Sequence, residues 1–74
     1  MEQLKITLAA ARVNAGLTQE EVAKKMQVSK STIINWEKGK KMLGVAQLYF
    51  LSNLYKIPID NIFLPFNSTL SKQK

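Results

Sequence analysis

The sequence predicts an all-α domain of five short helices. Three observations carry that expectation. Apolar residues recur at helical spacing in successive segments, residues that cap helix ends stand between those segments, and no useful run alternates apolar with polar positions. With 74 residues, 46% of them hydrophobic, there is material for one core but not for two. The helical domain is assigned to residues 1–64, and the polar, basic stretch 65–74 is expected to be a flexible tail.

From Glu2 to Ala15, Leu4, Leu8, Ala11 and Ala15 fall on one stripe with Ile6, Ala9 and Val13 beside it, and Gly16 follows where a helix end accepts left-handed backbone. Thr18 and Glu21 have the spacing of a capping box, which opens a second helix to about Met26 with Val22, Ala23 and Met26 on its buried face. Ser29 caps a third helix through Lys30 to Glu37 that stops near Gly39, so only Gln27, Val28 and Ser29 join the two. A basic loop from Lys38 to Gly44 leads into a fourth helix, Val45 to Tyr55. Leu48, Leu51, Leu54 and Tyr55 form its apolar face, which Phe50 widens. A last short helix begins at Ile59 and Asp60 and carries Ile62 and Phe63 before Pro65 ends it.

The composition excludes several classes of chemistry. The chain has no Cys and no His, which removes disulfides, thiolate nucleophiles, the usual zinc ligand sets and imidazole acid–base catalysis. No paired carboxylates or nucleophile–base arrangement is evident, so an enzyme is not expected. The N-terminal residues lack the pattern of a signal peptide, and no apolar run is long enough to span a bilayer, so the expected location is cytoplasmic. Eleven Lys and Arg against five Asp and Glu give a net charge of +6, which suits a polyanionic partner such as nucleic acid. The charge is also localised: Lys24, Lys25, Lys30, Lys38, Lys40 and Lys41 share one stretch with a single acid, Glu37.

Two short helices joined by three residues, the second opening with polar and basic side chains, outline a DNA-binding helix-turn-helix. The run from Thr18 to Gly39 resembles the phage repressor and Cro (XRE-like) family of transcriptional regulators. The match lies in Gln19 opening the second helix, in Ala23 where the helices cross, and in the buried positions Val22, Met26, Val28, Ile33 and Trp36. It ends with Glu37 and Gly39. The resemblance covers roughly Leu4 to Phe63 and implies a compact lambda-repressor-like domain whose second and third helices form the motif. It departs from the family at Gln27, where glycine is frequent and positive φ is expected, and in the loop before the fourth helix, which lacks a proline.

At about 100° per residue, Lys30, Ser31, Ile34, Asn35 and Lys38 fall on one side of the third helix and Ile33 and Trp36 on the other. Lys30, Ser31, Ile34 and Asn35 are the candidate base contacts: Lys30 for guanine or a phosphate, Ser31 for base or backbone, and Asn35 for adenine. Ile34 suits a thymine methyl, or else marks the edge of the core. Trp36 is read as core. Gln19, Ser29, Thr32, Lys38, Lys40 and Lys41 are candidate phosphate contacts, with solvated side chains as the plain alternative. The resemblance further implies a structural ion pair between Arg12 and Glu37, and bracing of the recognition helix by Gln19.

The expected partner is therefore double-stranded DNA, bound by a homodimer with half-sites about 34 Å apart. Ile57, Ile59, Ile62, Phe63 and Phe66 are the candidate dimer contacts, unless they simply close the monomer core. A repressor is the favoured role. The alternative is a protein-interaction module, such as an antitoxin holding a toxin, with DNA binding secondary. No metal, cofactor, small-molecule effector or membrane partner is expected.

Overall fold

The computed structural model describes residues 5–64. A short strand β1 (Ile6–Thr7) precedes helices α1 (Leu8–Asn14), α2 (Gln19–Met26), α3 (Lys30–Lys38) and α4 (Val45–Tyr55). A 3₁₀ turn (Ile59–Asn61) and strand β2 (Ile62–Phe63) follow. The fold is mostly helical, but it holds four α-helices among the described residues where five were expected.

Both ends of the expected pattern are corrected by one pairing. β1 and β2 run parallel, with Ile6 opposite Ile62 and Thr7 opposite Phe63. The first helix starts at Leu8 instead of Glu2 because Thr7 is extended and its side chain accepts the Ala10 N–H at 3.0 Å. A side-chain cap of this kind satisfies a helix-start amide and ends the helix there. The last helix is only a 3₁₀ turn, and the β-branched Ile62 and aromatic Phe63 extend into the ladder. Within α1 and its cap, Leu8 and Ala11 are buried, whereas Val13 is 63% exposed and Ala15 lies open at the end. Leu4, Phe66 and the expected tail 65–74 lie outside the described residues.

Helices α2, α3 and α4 have the expected bounds. Thr18 Oγ1 accepts from Glu21 N–H and Glu21 Oε1 accepts from Thr18 N–H, completing the capping box of α2. Ser29 caps α3 through Thr32 N–H. Gly44 opens α4, its N–H donating to Gln47 Oε1 at 2.7 Å.

All four helices end in the same way. A residue at positive φ follows the helix, and it and the next residue each donate a backbone N–H back to the last turn. In α1 these are Gly16 to Val13 O and Leu17 to Arg12 O; in α2, Gln27 to Lys24 O and Val28 to Ala23 O. In α3 they are Gly39 to Trp36 O and Lys40 to Asn35 O, and in α4, Lys56 to Asn53 O and Ile57 to Ser52 O. Gly16 and Gly39 adopt positive φ without steric cost, but Gln27 and Lys56, both at φ 60°, do not. The expected positive φ at Gln27 is present. Leu17, Val28 and Ile57, each one residue past such a turn, swing back onto the core.

That core is drawn from every helix and from β2: Leu8, Ala11, Val22, Ala23, Ile33, Trp36, Leu51, Tyr55 and Ile62. Burying each of the larger side chains contributes about 1.5–3 kcal/mol. Trp36 is 2% exposed and its indole N–H has no partner among the described residues, so it serves as packed volume and not as a stacking surface. Ile62, named among the candidate dimer contacts with core closure as the alternative, lies in this core. At 4% exposure it helps close the monomer core.

Candidate nucleic-acid interface

The helical periodicity of α3 divides it cleanly. Ile33 and Trp36 are buried, Ile34 and Asn35 are half-buried, and Lys30 and Ser31 are exposed. The left-handed turn at Gly39 then brings Lys40 and Lys41 out into solvent close behind Lys38. A basic, hydrogen-bonding surface thus runs along α3 and into the loop that follows it.

Glu37, the single acid of that stretch, does not lie on this surface. Its carboxylate accepts from Arg12 Nε at 2.8 Å, from Arg12 Nη2 at 3.4 Å and from Gln19 Nε2 at 3.0 Å. Arg12 Nη1 also donates to Leu17 O at 3.0 Å. One carboxylate therefore ties α1, α2 and α3 together, and the side chains of Arg12 and Glu37 are only 14% and 8% exposed. Donating its hydrogen bond to Glu37 raises the Arg12 pKa above its ordinary value, against the opposing effect of burial. The same cluster reaches α4. Burial pushes the Tyr55 hydroxyl up to about 12, with the negative Glu37 adding to the shift and Arg12 opposing it.

Gln19 was expected to touch phosphate and brace the recognition helix, and the structure shows its amide bonded to Glu37 on α3. Ser29 and Thr32 sit side by side with their hydroxyl oxygens 3.0 Å apart, while Ser29 Oγ also accepts the Thr32 amide. Between them one hydroxyl proton closes the pair and the other is left to donate outward. Ile34 is half-buried, intermediate between a core residue and a free contact.

One participant was missed by the sequence reading. Glu20, 73% exposed in its side chain, lies on α2 with a carboxylate oxygen 4.0 Å from Lys30 Nζ. It places a negative charge across the turn beside the first side chain of α3. The signal was available, since Glu20 adjoins Gln19 at the start of α2, but the pairing crosses the turn and has no local spacing rule.

A family model described as helix-turn-helix matches residues 8–62, from the start of α1 to the first residue of β2. The chain belongs to the helix-turn-helix family. It is of the XRE/Cro type, a family of DNA-binding transcription regulators and not of enzymes. Among relatives, an uncharacterized HTH-type transcriptional regulator of Methanocaldococcus jannaschii is 36% identical over 61 residues, covering 82% of this chain and 92% of that protein. A second such regulator, from Archaeoglobus fulgidus, is 36% identical over 53 residues, 72% of this chain and 76% of that one. The HTH-type transcriptional activator BcrR of Enterococcus faecalis is 33% identical over 55 residues, which cover 74% of this chain but only 27% of BcrR. No solved structure matches the chain. Among the described residues of this helix-turn-helix protein, no group of His, Cys, Asp or Glu could hold a metal, and no helix is long and apolar enough to cross a membrane.

Proposed function

We propose that this helix-turn-helix protein represses transcription by occupying a palindromic operator as a dimer, with α3 in the major groove of each half-site. Lys30, Ser31, Ile34 and Asn35 would meet base edges, and Gln19, Ser29, Thr32, Lys38, Lys40 and Lys41 the phosphates that set the register. The observation that carries the reading is the inward turn of Glu37. The only acid in the basic stretch is spent on Arg12 and Gln19, so α3 presents no carboxylate of its own to solvent, and the neighbouring Glu20 of α2 faces only its first residue, Lys30. A carboxylate turned outward at that position would repel phosphate.

Repression is favoured on physical grounds, because a protein seated on an operator blocks polymerase without needing any surface beyond the one that holds DNA. The similarity to BcrR covers only 27% of that activator, and its activating role is not carried over to this chain.

The test is a footprint and a binding titration on the DNA upstream of the chain's own gene at several salt concentrations. A protected region with two equivalent halves one helical turn apart supports the proposal, as does affinity that falls steeply with salt. Protection of a single half-site, or binding indifferent to sequence, contradicts it.

A further inference from the structure

Helix α4 contains no charged side chain, in a chain whose net charge is +6. Its inner arc, Leu48, Leu51, Leu54 and Tyr55, packs into the core. Its outer arc is apolar as well: Val45 is 71% exposed, Tyr49 58% and Phe50 43%, with Met42 at 57% just before the helix. Ala46 and Asn53 are exposed on the same arc. A helix apolar on both its inner and outer arcs belongs between two bodies, and among the described residues only one is present.

We propose that this outer face of α4 is the surface on which a second copy of the chain docks, helix against helix, in solution. Two features select that occupant. The first is charge. Copies of a protein carrying +6 repel one another in general, but two uncharged helices can meet without placing like charges in contact, and the arc offers no cation to an acidic partner.

The second is area. The exposed parts of Met42, Val45, Tyr49 and Phe50 amount to roughly 400–500 Å², about half of the ~800 Å² that one partner gives to a standard interface. A shallow apolar groove lined by Met26, Ala46 and Phe50, with Lys25, Gln27 and Gln47 at its edges, continues the face toward α2 and supplies further area. In a two-fold pairing each residue meets its own counterpart or a neighbour, so Tyr49 and Phe50 can pack edge to face and Asn53 can bond to Asn53. Of the dimer contacts expected from the C-terminal part, Ile62 is buried, Ile57 and Ile59 are half-buried and Phe63 is 48% exposed.

The docking supplies the two-fold symmetry that the operator reading requires, but its test uses no DNA, so each can fail without the other. Molar mass is measured by sedimentation over a range of micromolar concentrations for the wild type, Tyr49→Glu/Phe50→Glu and Phe63→Glu, with circular dichroism as the check on folding. The expected result is a dimer for wild type and Phe63→Glu, and a monomer for the double variant, with dimerisation weakened at least about 100-fold. Because the chain has no cysteine, a second measurement does not depend on that variant folding. Asn53→Cys should cross-link as a disulfide dimer on mild oxidation, and Val13→Cys, on the exposed side of α1, should not. A monomeric wild type, a dimer untouched by the double variant, dissociation by Phe63→Glu alone, or equal cross-linking at both positions would each overturn the proposal.

Discussion

Arg12 Nε lies 2.8 Å from Glu37 Oε2, joining side chains 25 residues apart. The pair is largely shielded from water, so its Coulomb term is less screened than at the surface, and each partner is costly to leave alone. Glu37→Gln should therefore lower stability by about 2–3 kcal/mol, since it leaves the Arg12 guanidinium partly buried without its counterion. The apolar double variant Arg12→Met/Glu37→Leu should recover part of that loss. Urea unfolding of the three proteins decides the matter, and a Glu37→Gln midpoint equal to wild type would mean the pair holds nothing together.

Gln27 and Lys56 carry left-handed backbone that glycine adopts freely. Gln27→Gly and Lys56→Gly should each raise stability by about 0.5–1 kcal/mol, the relief of strain outweighing the added freedom of the unfolded chain. Thermal unfolding of the single variants checks this. A lower melting temperature for both would show that neither turn is strained.

Tyr55 gives the protein a defined alkaline limit. Its hydroxyl ionises near 10 when unfolded and is pushed up to about 12 in the fold. Between those values the unfolded chain has released a proton that the folded one retains, so stability must fall as pH rises through that interval. The expected loss is about 2–3 kcal/mol. Below pH 10 the group contributes no pH dependence. Tyr55→Phe should remove this component of the decline, and equal slopes for the two proteins from pH 10 to 12 would refute the assignment.

Glu20 stands 4.0 Å from Lys30, with both side chains well exposed. Such a pair adds little to stability but places a negative charge beside the surface proposed to meet phosphate. Glu20→Gln should strengthen binding to a non-specific duplex by about 3–10-fold at low salt, and the gain should vanish as salt screens it. Fluorescence anisotropy at several salt concentrations measures this, and unchanged low-salt affinity would place Glu20 away from the DNA.

The parts of the fold that were legible in the sequence are those written in local chemistry. Thr18 with Glu21, and Ser29 with Thr32, announce the starts of α2 and α3 in side chains that bond to amides within one turn. Even the turn at Gln27 could be anticipated, because the family that the run resembles often has glycine at that position. The ladder could not be. Ile6 and Ile62 pair across the whole domain, and two-residue strands leave no alternating pattern to read. Ile6 also fell in step with the helical stripe of Leu8 and Ala11, so the first helix was drawn too long. On the proposed binding surface, the exposed face of α3 followed from angle alone, whereas Glu20 beside Lys30 required tertiary geometry. The outer face of α4 was hidden for a different reason. Phe50 was taken as a widened inner face, and only the packed structure shows that Val45, Tyr49 and Phe50 point away from the core.

Whether α3 reads base sequence is decided by selection of bound duplexes from a random pool. Wild type and Asn35→Ala would be carried in parallel at one near-physiological salt concentration. The expected outcome is a two-fold symmetric consensus for the wild type, and for the variant the same consensus with preference relaxed at one symmetric pair of positions, a loss of about 1–3 kcal/mol of discrimination there. Enrichment of no sequence by the wild type, or an identical consensus from both proteins, would contradict it.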